Sequence, residues 1–226
     1  MKKRVSLSAV LLVTVMAASP AWCVEVTGHV RVKGRTVAGL PTIIYAESTE
    51  GRTPVRPGVF KIIQKNKAFI PHVLAVPAGS TVEFPNEDPI FHNVFSLSRP
   101  RPFDLGLYRS GASKTRVFLE PAAYRIFCNI HPQMTAVILV LPTSFITEAY
   151  PAGAYRLDLP PGRYRLTAWS ERAQPFSMEI SVGQDPVVAP ELSLDESNFV
   201  QLPHKNKFGQ DYPGAAYDPL EGPQPR

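Results

Sequence analysis

The stretch Cys128-Asn129-Ile130-His131-Pro132-Gln133-Met134 carries more chemical information than any other part of this chain. It contains a thiol, an imidazole and a thioether within one short segment. Residues 124–127 before it and 136–141 after it are rich in β-branched and aromatic side chains, which is typical of β-strands. The stretch is therefore predicted to be a loop between two strands that presents three potential metal ligands together.

A second imidazole, His92, lies upstream of this loop on a segment that leaves a predicted strand at residues 81–84. Two His, one Cys and a weak axial Met form the ligand set of a trigonal copper electron-transfer site. A soft thiolate with two imidazoles suits both Cu(I) and Cu(II), so little nuclear motion accompanies the redox change. We therefore predict a copper site formed by His92, Cys128, His131 and Met134.

The first 23 residues are predicted to be a signal peptide. Residues 1–4 are positively charged, residues 5–18 are apolar, and a small-residue cleavage region ends at Ala21 or Cys23. The apolar run is too short to span a bilayer and no later run is longer, so we expect a periplasmic protein without a membrane span in the mature chain. If cleavage follows Cys23, Cys128 remains as a lone thiol, which is a liability in an oxidising compartment unless a metal protects it.

The charge of the mature chain argues against a nucleic-acid partner. Removing the leader takes away three basic residues and no acidic one, which lowers the formal net charge from +5 to about +2. A nucleic-acid-binding protein usually carries a strongly basic surface. We therefore expect no nucleic acid.

The mature chain is predicted to be all-β. It is rich in proline, with 24 in the chain, and shows no long stretch of helical periodicity. Alternating, β-branched segments recur between Pro and Gly turns. The predicted strands include residues 25–33, 42–46, 73–76, 81–84, 116–119 and 136–141.

Five segments are predicted along the chain. They are the signal peptide at 1–23, a first flank at 24–60, a central domain at 61–142, a second flank at 143–200 and an extended tail at 201–226. The central domain carries all the candidate ligands. Within the second flank, residues 153–169 predict a hairpin that turns at Pro160-Pro161-Gly162.

The two flanks resemble the halves of a carboxypeptidase regulatory-like (transthyretin-like) β-sandwich. Gly28-His29-Val30 matches its G-x-V opening, and residues 153–164 match the later pattern G-x-Y-x-L-x-L-P-P-G-x-Y. The resemblance implies that the central domain is inserted into a second sandwich, and a simple chain of separate modules is the alternative. Insertion is favoured because neither flank alone has enough strands to bury a core.

The central domain resembles the cupredoxins, in particular plastocyanin and amicyanin. The matching fragments occur in the family's order and are Lys67-Ala68-Phe69-Ile70-Pro71, Val76-Pro77-Ala78-Gly79-Ser80-Thr81-Val82, Asn86-Glu87-Asp88, His92-Asn93-Val94 and Cys128-x-x-His131-x-x-Met134. The resemblance implies a Greek-key β-sandwich, a blue copper site and electron transfer. It also implies that His92, Cys128, His131 and Met134 are the ligands, and that the side chain of Asn93 ties the two ligand loops together.

The contracted ligand loop is most similar to that of amicyanin, but it differs at one position. Ile130 stands where amicyanin has a proline before the loop histidine, and it keeps a backbone N–H. We expect this N–H to reach the sulfur of Cys128, where hydrogen bonds tune the redox potential. Pro132 has no N–H and is predicted to stiffen the loop after His131.

A purely structural role competes with metal ligation for each of these residues. Cys128 alone would most often be a small buried side chain, and Met134 alone would most often fill the core. Their fixed offsets from His131 favour ligation. His92 competes with a role as a surface turn residue, and with His72, which is predicted at an edge or solvent-facing position. The two remaining histidines, His29 and His204, are predicted to be structural or solvated.

The predicted function is that of a periplasmic electron carrier with an unidentified redox protein as partner, and not that of an enzyme. One alternative is copper binding or storage without redox turnover, although a Met-rich surface for Cu(I) is absent. Another is an envelope interaction module with a structural copper site. An enzyme with Cys128 as nucleophile and His131 as base would leave His92 and Met134 without a role, and no acidic orienting motif is evident.

Overall fold

The computed structural model describes residues 22–35 and 40–212, and its described residues contain β-strands and no helix. The prediction of an all-β protein is confirmed. Residues 1–21 of the predicted signal peptide and residues 213–226 of the predicted tail lie outside the described ranges. Within those ranges no helix could cross a membrane.

The strands fall into three groups along the chain. The first group is β1 (Val24–Lys33) and β2 (Ile43–Ser48). The central group is β3 (Val59–Lys61), β4 (Ile63–Lys65), β5 (Ala68–Ile70), β6 (Val73–Pro77), β7 (Ser80–Pro85), β8 (His92–Ser96), β9 (Phe103–Tyr108), β10 (Ser113–Phe118), β11 (Ala122–Phe127) and β12 (Thr135–Leu141). The last group is β13 (Ile146–Glu148), β14 (Ala154–Leu159), β15 (Gly162–Trp169), β16 (Phe176–Val182), β17 (Val187–Val188) and β18 (Leu192–Asp195).

The outer strands form one sandwich from both ends of the chain. In one sheet, β1 pairs with β14 in antiparallel and with β17 and β18 in parallel orientation. The other sheet has the order β13-β2-β15-β16. Between the sheets lies one apolar cluster, to which Val26 and Leu159 contribute from the first sheet and Ile44 and Leu166 from the second. Each sheet therefore combines strands from before and after the central group.

The central strands form a second sandwich. One sheet has the order β10-β7-β3 and the other the order β6-β12-β11-β8-β9, while β4 and β5 form a separate hairpin. Phe84 on β7 packs in one cluster with Tyr124 and Ile126 on β11 and Ile138 on β12. The alternation of side chains along these strands directs every second residue into this core.

Strand β12 joins the two sandwiches because both of its faces are apolar. Ala136, Ile138 and Val140 belong to the central core. Val137, Leu139 and Leu141 face the opposite way and pack with Ile43 and Trp169 of the outer sandwich. A strand covered on both faces requires a nearly continuous apolar sequence, which is what this segment has.

The predicted hairpin at residues 153–169 is wrong in its pairing. Both strands form, but β14 pairs with β1, whereas β15 pairs with β2 and β16. Pro160 and Pro161 have no N–H to donate to a hairpin ladder. The chain instead crosses from one sheet to the other at this point, and the hydroxyl of Tyr164 donates to the carbonyl oxygen of Pro160 at 2.9 Å across the crossing.

Candidate metal centre

The ligand loop, residues 128–134, connects β11 to β12 and holds three of the candidate ligands. Phe127 pairs with Thr135, so Cys128 is the first residue outside the ladder and Met134 the last before it resumes. The N–H of Cys128 donates to the carbonyl oxygen of Met134 at 3.2 Å, and the N–H of Met134 donates to that of His131 at 3.0 Å. These bonds close the loop on itself at the end of the sheet.

His92 reaches the same place because β8 is the antiparallel neighbour of β11. Phe95 pairs with Phe127. In an antiparallel pair, residues that precede Phe95 lie beside residues that follow Phe127. His92, the first residue of β8, is therefore brought next to the loop that begins at Cys128, although the two are far apart in sequence.

Three donor atoms converge at this point. The Nδ1 atoms of His92 and His131 are 3.1 Å apart, and the Sγ atom of Cys128 is 3.9 Å from the first and 3.7 Å from the second. A point equidistant from the three atoms lies about 2.1 Å from each, close to the length of a metal–imidazole bond, about 2.0–2.1 Å. The three side chains thus fit one soft cation without rearrangement.

The fourth predicted ligand, Met134, is fully buried. Its side chain belongs to the same apolar cluster as Cys128, and its backbone closes the ligand loop. Met134 is therefore close to the other candidate ligands both in sequence and in the apolar core. Its role as the axial ligand stays a prediction.

A carboxylate that the sequence analysis did not assign to the site orients His92. Oδ2 of Asp88 accepts a hydrogen bond from Nε2 of His92 at 2.7 Å, and both side chains are buried. Because this nitrogen is the donor, Nδ1 is left to face the cluster. The expectation that no acidic orienting group lies beside the candidate ligands is therefore wrong.

Asp88 is itself held by the tip of the β4–β5 hairpin. The N–H of Asn66 donates to Oδ1 at 2.6 Å, and the N–H of Lys67 donates to Oδ2 at 2.9 Å. Both residues have positive φ angles, 55° and 54°, as the two central residues of a type I′ turn require. Burial alone would raise the pKa of Asp88, but these N–H groups and His92 lower it overall. The fragment Asn86-Glu87-Asp88 was the only sequence signal for this anchor.

The environment of Cys128 favours the thiol until a metal replaces the proton. Burial raises the pKa of Cys128, and N–H groups of Asn93, Ile130 and His131 act on the sulfur in the opposite direction. Burial, His92 and Lys67 lower the pKa of His131. The lowered pKa leaves His131 neutral near pH 7, as ligation requires, and the thiol of Cys128 would have to lose its proton to hold a metal. The N–H of Ile130 is among the groups that lower the pKa of Cys128, and its role in tuning a bound metal stays a prediction.

The side chain of Asn93 does not bond directly to the ligand loop, contrary to the resemblance. Its Nδ2 donates to Oδ1 of Asp104 on β9 at 2.7 Å, while the backbone N–H of Asn93 is the group that approaches the sulfur of Cys128. The physical reason is the neighbouring strand: β8 pairs with β9, so Asp104 competes for the amide. The direct link between the two ligand loops is thus made by the backbone.

The other histidines lie outside the donor cluster. His72 precedes β6, and its Nε2 donates to Oε2 of Glu171 in the outer sandwich at 2.6 Å. His29 donates to the carbonyl oxygen of Ala152 at 2.6 Å. His204, in the predicted tail, stacks on Phe127 with ring centroids 4.1 Å apart. Among the described residues, His92 and His131 are the histidines of the cluster.

No protein-family model and no curated protein matches this chain. Similar solved structures include a Cu-containing nitrite reductase (NirK) from Thermus scotoductus SA-01, with 29% identity, a TM-score of 0.36, and coverage of 40% of this chain and 24% of the reductase. A purple cupredoxin from Nitrosopumilus maritimus has 25% identity, a TM-score of 0.33, and coverage of 36% of this chain and 98% of that one. A mutant of amicyanin in the Cu(I) state has 19% identity, a TM-score of 0.35, and coverage of 43% and 99%. The likeness of the flanks to a carboxypeptidase regulatory-like domain stays a prediction.

Proposed function

We propose that this protein is a periplasmic type 1 (blue) copper protein that carries single electrons, with His92, Cys128, His131 and Met134 as ligands. The observation that supports the proposal is the convergence of two imidazole Nδ1 atoms and one thiol sulfur within 4.8 Å of one another. This combination of soft and intermediate donors suits copper in both oxidation states. Copper, when bound, supplies the one-electron redox couple.

The chain's own residues fix the site and provide one route to the surface. Asp88 holds the ring of His92, and backbone N–H groups from both ligand loops hold the sulfur of Cys128. His92 and Cys128 are fully buried, whereas His131 is partly exposed. We therefore assign the route of electron transfer to a redox protein partner to the ring of His131.

Two alternatives are separated from this proposal by redox behaviour. A copper store or a structural copper site would bind the metal but would not cycle reversibly.

An enzyme that uses Cys128 as a nucleophile is disfavoured by two observations. The side chain is fully buried, and its pKa is raised, whereas reactive thiols are accessible and have a lowered pKa.

The proposed organisation of the chain follows from the pairing of its strands. We infer that a copper domain is inserted into an outer sandwich formed by the strands on either side of it. The predicted bounds of this domain are residues 61–142, and the pairing of Val59 and Phe60 with β7 adds the first two residues of β3 to it. The pairing of β1 with β14 and of β2 with β15 across the central strands supports this inference.

The test is a titration of the purified mature protein with Cu(II), followed by visible spectroscopy and voltammetry. We expect one equivalent of copper, an intense thiolate-to-copper absorption band and a reversible one-electron couple. His92→Ala should abolish the band, and His72→Ala is the matched control because His72 also pairs with a carboxylate but lies outside the cluster. Binding without reversible cycling would contradict the carrier function, and an unchanged band in His92→Ala would contradict the ligand set.

A further inference from the structure

The C-terminal segment of residues 203–212, here termed the clasp, lies against the candidate ligand loop. We propose that the clasp is a positioning element for the metal centre, which holds the loop from Cys128 to Pro132 and ties it to the strand that carries His92. The inference rests on the proposed copper site and assigns a role to residues outside the ligand set. The residues of the clasp are mostly polar, and this composition predicts no regular structure but is compatible with specific packing.

Three residues of the clasp bond to the ligand loop on both sides of Ile130 and His131. The hydroxyl of Tyr212 donates to the carbonyl oxygen of Cys128 at 3.0 Å. The N–H of Lys207 donates to Oδ1 of Asn129 at 3.0 Å, and Nε2 of His204 donates to the carbonyl oxygen of Pro132 at 2.7 Å. The loop is therefore held at its first, second and fifth residues.

Lys207 also connects the loop to β8 through β9. Its Nζ atom donates to Oδ2 of Asp104 at 2.7 Å, and Oδ1 of Asp104 accepts from Nδ2 of Asn93 at 2.7 Å. Asn93 follows His92 directly. A continuous path of hydrogen bonds thus runs from Asn93 through Asp104 and Lys207 to Asn129, the residue after Cys128. Asn93 is therefore linked to the ligand loop indirectly, through Asp104 and Lys207.

The clasp is built to present Lys207 in a fixed position. Asn206 is 7% exposed, and its Oδ1 accepts the N–H groups of Phe208 and Gln210 at 2.9 and 3.0 Å. The N–H of Gly209 donates to the carbonyl oxygen of Asn206, and the φ of Gly209 is 77°, which glycine adopts without strain. A turn with this many internal bonds holds the backbone on both sides of Lys207.

Holding the loop from outside matters because the ligands sit on a short segment between two strands. Groups that hydrogen-bond to metal ligands fix their orientation, and their loss typically weakens metal binding 10- to 100-fold. The clasp acts one step further from the metal, on the backbone around the ligands, so we expect an effect at the lower end of that range. The clasp bonds to the backbone carbonyls of Cys128 and Pro132 and to the side chain of Asn129, and not to the ligand atoms. Its loss should therefore loosen the site while the four ligands remain.

The test uses the full mature chain with Lys207→Met, Tyr212→Phe and the two combined. These changes remove the bond to Asp104 and the bond to the Cys128 carbonyl but keep the length of one side chain and the ring of the other. We expect the combined variant to bind Cu(II) about tenfold more weakly. We also expect its thiolate-to-copper band and reduction potential to shift, and Lys207→Arg to restore values close to those of the parent.

Lys33→Met is the matched control. Lys33 also pairs with an aspartate, Asp195, but this exposed pair lies on the outer sandwich and outside the clasp, so its loss should leave affinity, spectrum and potential unchanged. A combined variant that keeps the parent's affinity, spectrum and potential overturns the clasp's role while leaving the copper function intact. A parent protein that binds no copper overturns the proposed function itself, and with it the role of the clasp.

Discussion

His92 depends on a single carboxylate for the orientation of its ring. Asp88 accepts two backbone N–H groups from the hairpin tip and one ring N–H from His92. The loop before it is ordered in the same way, since Oδ1 of Asn86 accepts the N–H of Asp88 at 3.1 Å. The positive-φ turn and the Asx turn therefore position the carboxylate of Asp88, and this carboxylate orients the ring of His92. Substitution of Asp88 would separate His92 from both turns.

Asp88→Asn should weaken copper binding and lower stability. An amide has one acceptor oxygen and would turn its own NH₂ towards a donor, so one of the three bonds must be lost. We expect copper affinity to fall by about tenfold or more and the free energy of unfolding to fall by about 1–3 kcal/mol. Glu87→Gln is the control, because Glu87 pairs with Lys65 on the exposed surface. Equal copper affinities in calorimetric titrations of Asp88→Asn and the parent would refute the anchoring role.

Ile130 contributes to the site through its backbone. Its N–H is one of three that act on the sulfur of Cys128, and its side chain is exposed. A hydrogen bond to the sulfur withdraws charge from the thiolate and so favours the reduced metal. The effect of the N–H can be separated from that of the side chain by changing each in turn.

Ile130→Pro removes the N–H and should lower the reduction potential without loss of copper. A bond worth about 1 kcal/mol corresponds to roughly 40 mV for a one-electron couple, so we expect a fall of a few tens of millivolts in voltammetry. Ile130→Val keeps the N–H and a branched apolar side chain and should leave the potential unchanged. An unchanged or higher potential in Ile130→Pro would show that this donor does not tune the site.

At the scale of strands, two tyrosines fix the chain where it enters a new strand. The hydroxyl of Tyr124 donates to the carbonyl oxygen of Glu120 at 3.2 Å near the start of β11, and Tyr164 bonds to Pro160 in the same way near the start of β15. In both cases the bond spans four residues and the ring is buried in a sandwich core. Such tyrosine corners are known in β-sandwiches, where they stabilise the passage between sheets.

Tyr164→Phe should therefore lower stability without altering the metal centre. The change removes one hydroxyl, leaves the carbonyl of Pro160 without this donor and keeps the ring in the core, so we expect a loss of about 1 kcal/mol in urea unfolding. Tyr150→Phe, at an exposed position, should change stability by less than about 0.5 kcal/mol. If both variants unfold at the parent's urea concentration, the corner does not contribute to the fold.

The elements that sequence predicts well are those specified by local patterns. The β-branched run at residues 136–141 predicted a strand, and the spacing of Cys128, His131 and Met134 predicted a single loop between strands. The pairing of β14 with β15 was predicted wrongly because two strands joined by a short turn usually pair, and only their burial in opposite sheets shows that these two do not.

The contacts that support the metal centre were beyond prediction from the sequence because they join distant segments. Asp88 meets His92 four residues away, but its other partners come from a hairpin whose turn residues carry no marker of that role. Lys207 and Asp104 are one ion pair among many possible ones between exposed charged residues. Residues 201–212 of the predicted tail contain no strand, and their composition held no information on the loop against which they pack.

At the scale of the whole molecule, the two sandwiches meet in an apolar contact, and a charged group lies beside this contact. Trp169 and Ile43 of the outer sandwich pack on the outward face of β12. Beyond Trp169, Glu171 accepts a hydrogen bond from His72 at 2.6 Å and one from Arg125 at 3.2 Å, and both of these residues belong to the central sandwich. Burial alone would raise the pKa of Glu171, but His72, Arg125 and Arg172 lower it overall.

This lowered pKa predicts a pH-dependent bond between the sandwiches. Because the pKa of Glu171 in the folded protein lies below its ordinary value of 4.5, the carboxylate contributes stability above that pH. The contribution is lost as the pH falls through the folded pKa. Glu171→Gln should reduce the free energy of unfolding at pH 7 by about 1–3 kcal/mol and flatten its decline below about pH 4.5.

Urea unfolding at a series of pH values from 7 downward measures both effects, with Glu179→Gln as the control because Glu179 is exposed on β16. The control should follow the parent at every pH, since the substitution of an exposed surface residue usually changes stability by less than about 0.5 kcal/mol. The difference between Glu171→Gln and the parent should shrink towards acid pH, because protonation removes the same charge that the substitution removes. A difference that stays constant over this range would show that Glu171 joins the sandwiches by packing and not by its charge.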